Sequence, residues 1–110
     1  MSQYHLGEFE EIVLLTVAIL NGEAYGVNVI AEIGDRLERD VSLGAIQTVL
    51  KRLEDKGFVK SAFGEATKVR GGKRKRFYEI TARGQQLLNK AKEQRTLLWK
   101  AIPKTGLKLS

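Results

Sequence analysis

The sequence predicts a mainly α-helical fold with one small β-hairpin. Three observations carry this. Apolar residues recur at three- and four-residue spacing in four separate segments of the 110-residue chain. Ser42 and Thr81, both good helix caps, stand directly before two of them. The stretch 58–80 instead places two short aromatic and β-branched runs on either side of a polar, glycine-containing loop.

The first segment is Leu6–Leu20. Glu8, Glu10 and Glu11 suit the first turn of a helix, and Asn21-Gly22 suits its end. Phe9, Ile12, Val13, Thr16, Val17 and Leu20 follow helical spacing. The β-branched content also permits a strand, with Asn-Gly as a hairpin turn. Length and the leading acids favour helix. Such a helix is apolar nearly all round between Ile12 and Leu20, so it needs cover on more than one side, and a second subunit would supply the extra cover.

The second segment, Tyr25–Arg39, has Val27, Ile30, Ile33 and Leu37 as its expected apolar stripe, loosened at Gly34. In the third, Ser42–Lys56, the stripe is Leu43, Ile46, Val49, Leu50 and Leu53, and Gly57 suits the residue past the helix end. Its opposite face shows Gly44, Gln47, Thr48 and Lys51, with Ala45 and Arg52 at the edge: small and uncharged first, basic in the middle. The fourth segment is the hairpin, Phe58–Phe63 and Lys75–Ile80, with a long tip. Lys68, Arg70, Lys73, Arg74, Lys75 and Arg76 lie there with no acid among them. The last segment, Thr81–Ile102, is stopped by Pro103. A helix that long projects past a small core and leaves Leu98, Trp99 and Ile102 bare in a monomer.

Charge is unevenly placed. Residues 1–67 carry six basic and eleven acidic groups, whereas 68–110 carry thirteen basic and two acidic. That asymmetry fits either a polyanionic partner or a solvated basic surface. Cys is absent and His5 is the one histidine, so thiolate or His-built metal sites and Ser-His-Asp catalysis lack their raw material. Gly71-Gly72-Lys73 lacks the upstream glycine and following hydroxyl of a phosphate loop. No enzyme activity and no cofactor are expected. The apolar run Ile12–Leu20 is shorter than the ~20 residues that a membrane span needs. It lies behind three acids, unlike a signal peptide. Cytoplasmic location and no membrane partner are the expectations.

Two short helices, a capped helix with a sparse polar face, a basic hairpin and a final helix make a winged helix-turn-helix. Its third helix can enter the major groove of DNA while the hairpin meets phosphates. Four stretches, LGEFEEIVLLTVAIL, AYGVNVIAEI, VSLGAIQTVLKRLEDKGFV and GGKRKRFYEITARG, spread over residues 6–84, resemble the PadR family of bacterial transcriptional regulators. The resemblance implies a homodimer that binds double-stranded DNA, commonly as a repressor at a pseudo-palindromic operator. It also implies the short class, in which residues 1–80 form the winged-helix unit and 81–110 the dimerising helix, as one structural unit.

The expected recognition-helix contacts are Ser42, Gly44, Ala45, Gln47, Thr48 and Lys51. The expected wing contacts are Arg70, Lys73, Arg74, Lys75 and Arg76. The expected dimer contacts are Phe9, Ile12, Leu88, Ala91, Leu98, Trp99 and Ile102. Gln47 departs from the Tyr common in the family, so no operator sequence carries over. Trp99 either packs in the dimer interface or, as the family's short members imply, stacks on a small, flat aromatic effector. A winged helix serving only protein contacts is the alternative reading.

Overall fold

A computed structural model of the chain describes residues 4–64 and 74–106. Helix α1 spans Glu8–Leu20, α2 Gly26–Leu37 and α3 Leu43–Asp55; β1 (Val59–Phe63) and β2 (Arg76–Ile80) follow, then α4, Ala82–Ala101. Helix, not strand, is the outcome for the first segment. Gly7 has no side chain to cap with, so Glu10 reaches back and accepts the Gly7 N–H at 3.0 Å. Asn21 and Gly22 take φ of +40° and +95° and end the helix. The buried Thr16 hydroxyl donates to the Ile12 carbonyl at 2.7 Å, so it enters the core without an unmet hydrogen bond.

The core is the common interior of three helices. Val13, Leu14 and Val17 of α1 meet Ala24, Val29 and Ile33 from the α2 region and Ile46, Val49, Leu50 and Leu53 of α3, and Phe58 and Val59 close one end. The expected α2 stripe needs correction. Val29 is fully buried, whereas Val27 is 60% and Leu37 52% exposed. Val29 lies one turn before Ile33 and shares its inward face. Val27 lies off that face, and Leu37 lies on the last turn, beyond the α3 packing. Gly34 does not loosen the helix: the Glu38 N–H still reaches the Gly34 carbonyl at 3.0 Å. Leu43 is also more open than expected, at 42%.

The hairpin strands pair antiparallel, Val59 opposite Ile80 and Phe63 opposite Arg76. The α1–α2 connector joins this sheet through a bridge from Ala24 to Tyr78, whose N–H donates to the Ala24 carbonyl at 2.8 Å. α4 starts against the end of α3. The Thr81 hydroxyl donates to the Gly57 carbonyl at 2.7 Å and accepts the Gly84 N–H at 3.1 Å. Gly84 is buried so tightly that a Cβ would stand 2.2 Å from the Phe58 carbonyl oxygen. Gly84→Ala should therefore destabilise the fold by about 1–3 kcal/mol, read as a lower urea midpoint; an unchanged midpoint would show that α4 can shift away freely.

Candidate nucleic-acid interface

The exposed face of α3 is built by its cap and its buried stripe. The Ser42 Oγ accepts the Ala45 N–H at 3.1 Å. With Ile46, Val49, Leu50 and Leu53 turned inward, Gly44, Gln47, Thr48 and Lys51 face outward, and Ala45 is half-buried between them. Gly44 is informative. Its φ is ordinary, and a Cβ there would meet no described atom within 4 Å. Neither backbone strain nor internal packing calls for glycine, although glycine weakens a helix by about 1 kcal/mol relative to alanine.

The wing cations are held individually. Arg74 Nε donates to the Gly64 carbonyl at 3.0 Å. The Lys75 ammonium sits 4.3 Å from the centroid of the Tyr25 ring. Arg76 lies over Phe63 at 5.0 Å, and its Nε donates to Ser61 Oγ at 2.9 Å. The Ser61 hydroxyl in turn donates to Glu54 at 2.5 Å, tying Arg76 back towards α3. Arg70 and Lys73 lie outside the described residues.

The expected dimer residues line neighbouring hollows around α1 and α4. Phe9 packs against the core under the Arg39 guanidinium, 5.4 Å from its ring centroid. Ile12 lines an apolar hollow with Leu15, Ile19 and Leu37 on the α2 side. Ala91 and Leu98 line a small pocket against Tyr4, His5 and Leu6. Leu88 and Trp99 line a different groove, about 650 Å³, with Leu15 and Ala18 of α1. Ile102 closes the end of α4. Leu97, Leu98 and Trp99 are 69%, 72% and 65% exposed. Leu15 and Ile19 belong to the all-round apolar stretch of α1, and Leu97 is a further exposed apolar residue whose type is its only sequence signal.

Glu10 is one of the first-turn acids of α1. The structure gives it more to do. Its carboxylate accepts the Tyr4 O–H at 2.5 Å and lies 3.6 Å from Arg52 of α3. Burial alone would raise its pKa, but the Tyr4 hydroxyl, the Gly7 N–H and the Arg52 guanidinium outweigh burial and hold it below the usual carboxylate range. Burial, then the bond to Glu10 and its charge, push the Tyr4 hydroxyl up to about 12. The three-residue spacing from Gly7 to Glu10 was the sequence signal for half of this network. A second tie, Arg95 to Glu11 at 2.5 Å, fastens α4 to α1.

A three-helix core, a third helix with one bare polar face and a two-stranded basic wing define a winged helix-turn-helix. The sequence matches the family model of the transcriptional regulator PadR-like family over residues 14–90, and the chain belongs to that family. The fold is similar to that of a PadR-like transcription factor from Bacteroides fragilis, with a TM-score of 0.72 at 21% identity over 86% of this chain and 85% of that one. A transcriptional regulator from Clostridium thermocellum gives a TM-score of 0.68 at 26% identity over 84% of this chain and 87% of that one. Bacillus subtilis PadR in complex with operator DNA gives a TM-score of 0.65 at 21% identity, over 76% of this chain but 46% of that longer one. Comparison with curated proteins found no match. No helix among the described residues is long and apolar enough to cross a membrane.

Because the Glu10 pKa is depressed, its stabilisation should be complete above its ordinary 4.5 and fade as pH falls through the lower folded value. Glu10→Gln should cost about 1–2 kcal/mol at neutral pH, and that gap should close in acid. Denaturant midpoints against pH measure it; a gap constant down to pH values well below 4.5 would remove Glu10 as its source.

Proposed function

We propose that this chain is a homodimeric, sequence-specific DNA-binding regulator, acting as a repressor at a pseudo-palindromic operator. The observation that carries this reading is the outer face of α3: capped by Ser42, bare at Gly44, polar at Gln47 and Thr48, cationic at Lys51, with no internal reason for its glycine. Membership of a regulator family supports it, as does the likeness to Bacillus subtilis PadR, whose structure was solved with operator DNA. The first turns of α3 approach base edges, where Gln47 can bond bidentately to adenine. Arg70, Lys73, Arg74, Lys75 and Arg76 supply phosphate contacts, whose affinity comes from counterion release.

A second subunit covers the bare apolar side chains of α4 and α1. Leu97, Leu98 and Trp99 on α4 and Leu15 and Ile19 on α1 leave an apolar surface that water disfavours. In a dimer that covers it, the two α3 helices are to meet half-sites one helical turn apart, about 34–36 Å. The groove holding Trp99, Leu88 and Leu15 is also where a flat aromatic effector would stack.

Selection from random duplexes should return a two-fold symmetric site, and the solution mass should be twice the 12.3 kDa chain. Binding should weaken about 10³–10⁵-fold between 50 and 200 mM salt for six to ten phosphate contacts. Gly44→Ala should raise stability by about 0.5–1 kcal/mol while weakening operator binding. A single-subunit mass, or indifference to duplex DNA at low salt, would leave the chain as a winged helix for protein contacts. Unchanged affinity in Gly44→Ala would remove close approach at that residue. Planar cationic dyes should quench Trp99 fluorescence and shift operator affinity; if neither changes, those compounds are not effectors.

A further inference from the structure

Tyr25 has no role in the reading above, yet its ring meets the wing while the next residue in the chain meets the start of α3. It ends the α1–α2 connector, whose Ala24 is bridged to Tyr78 of β2. The half-buried Tyr25 ring meets Phe77 edge-on, with centroids 5.4 Å apart. Its face carries the Lys75 ammonium at 4.3 Å. The next residue, Gly26, lies so close to the start of α3 that a Cβ would stand 2.8 Å from Leu43 Cδ1. The path from the wing cation to the helix that carries Ser42 and Gly44 is thus Lys75, Tyr25, Gly26, Leu43.

A lysine on a strand end has four flexible methylenes and gives up much rotamer freedom when it binds a phosphate. A ring beneath the ammonium removes part of that freedom in advance. It takes up one side of the ammonium and leaves N–H donors pointing away from the ring. Phe77 against the ring edge keeps the platform itself in place.

We infer that Tyr25 is a positioning residue for DNA binding: its ring holds Lys75 beside the first turn of α3, so that the wing cation and the recognition helix meet the duplex as one pre-set unit. This rests on the DNA-binding reading above. The hydroxyl is not needed; the ring is. Nothing in the sequence announced the pairing, because fifty positions separate the two residues and no periodicity connects them.

The test is anisotropy titration of a 24-base-pair mixed-sequence duplex across a salt series, with wild type, K75A, Y25L, Y25F and the Y25L/K75A double variant. K75A should weaken binding and make the slope of log affinity against log salt shallower by about one. Y25L should weaken binding about two- to fivefold, and Y25F should keep wild-type affinity. The double variant should bind no more weakly than K75A alone. An additive double variant, an unaffected Y25L or an unaffected K75A would overturn the inference. So that the question does not depend on Y25L folding, the Lys75 Hε protons of wild type are also read by NMR. They should be shifted upfield by the ring in both free and duplex-bound protein; ordinary shifts in the complex would overturn the positioning. A wild type that binds no duplex at low salt overturns the DNA reading itself, a result distinct from a binding wild type whose two sites act independently.

Discussion

Ile46, Val49, Leu50 and Leu53 turn one side of α3 wholly inward, against α1 and α2. Burying each such side chain is worth about 1.5–3 kcal/mol, so four of them hold the helix without help from its outer face. That frees the outer face from packing. Gly44 and Thr48 are poor choices for helix stability, and they are tolerable because the stripe behind them is complete. The two short helices α1 and α2 serve mainly as the walls of that seal. Gly26 against Leu43 sets how near α2 comes to the start of α3.

The wing shows a second division of labour. A hairpin with a run of cations repels itself, and a free Lys or Arg spends conformational entropy whenever it makes a contact. Arg74, Lys75 and Arg76 are each given a neighbour: a carbonyl for Arg74, a ring for Lys75, and a ring plus a hydroxyl for Arg76. None of these three neighbours is a carboxylate in direct contact, so Arg74, Lys75 and Arg76 keep their charge, whereas Lys60 of β1 is paired with Glu79 of β2. The one acid in the chain of contacts, Glu54, acts through the Ser61 hydroxyl. Charge that is oriented but not neutralised is what attraction to a polyanion requires.

At the other end of the molecule, α4 begins as part of the fold and finishes outside it. Its first turn is locked by Thr81 and Gly84, its middle is tied to α1 by Arg95 and Glu11, and its last two turns carry bare Leu and Trp. The Tyr4–Glu10–Arg52 network lies between this helix and α3, because Tyr4 also lines the pocket against Leu87 and Leu98. The N-terminal segment is therefore in physical contact with both the exposed helix and the one that faces outward.

Periodicity and capping were enough to place every described element to within about two residues at each end, because a helix stripe and a Ser or Thr cap are local properties of the chain. The basic run, the sparse face of α3 and the over-apolar first and last helices were legible for the same reason. Four matters were not. Val27 and Leu37 resembled core by type, but which side of α2 faces inward depends on where α1 and α3 pass. Leu88 and Trp99 were expected beside Ala91 and Leu98 in a dimer contact, but they line a groove with Leu15 and Ala18, whereas Ala91 and Leu98 line a neighbouring pocket with Tyr4, His5 and Leu6. Glu10 became a buried partner of Tyr4, six positions away, and of Arg52 across the core, and Tyr25 became a platform for Lys75 fifty positions on. What the sequence determined by itself was the kind and order of elements and the chemistry each one exposes, since these follow from near-neighbour spacing. What only the tertiary structure decided was which faces meet and which charges are held, since that depends on distances across the core that no local pattern encodes.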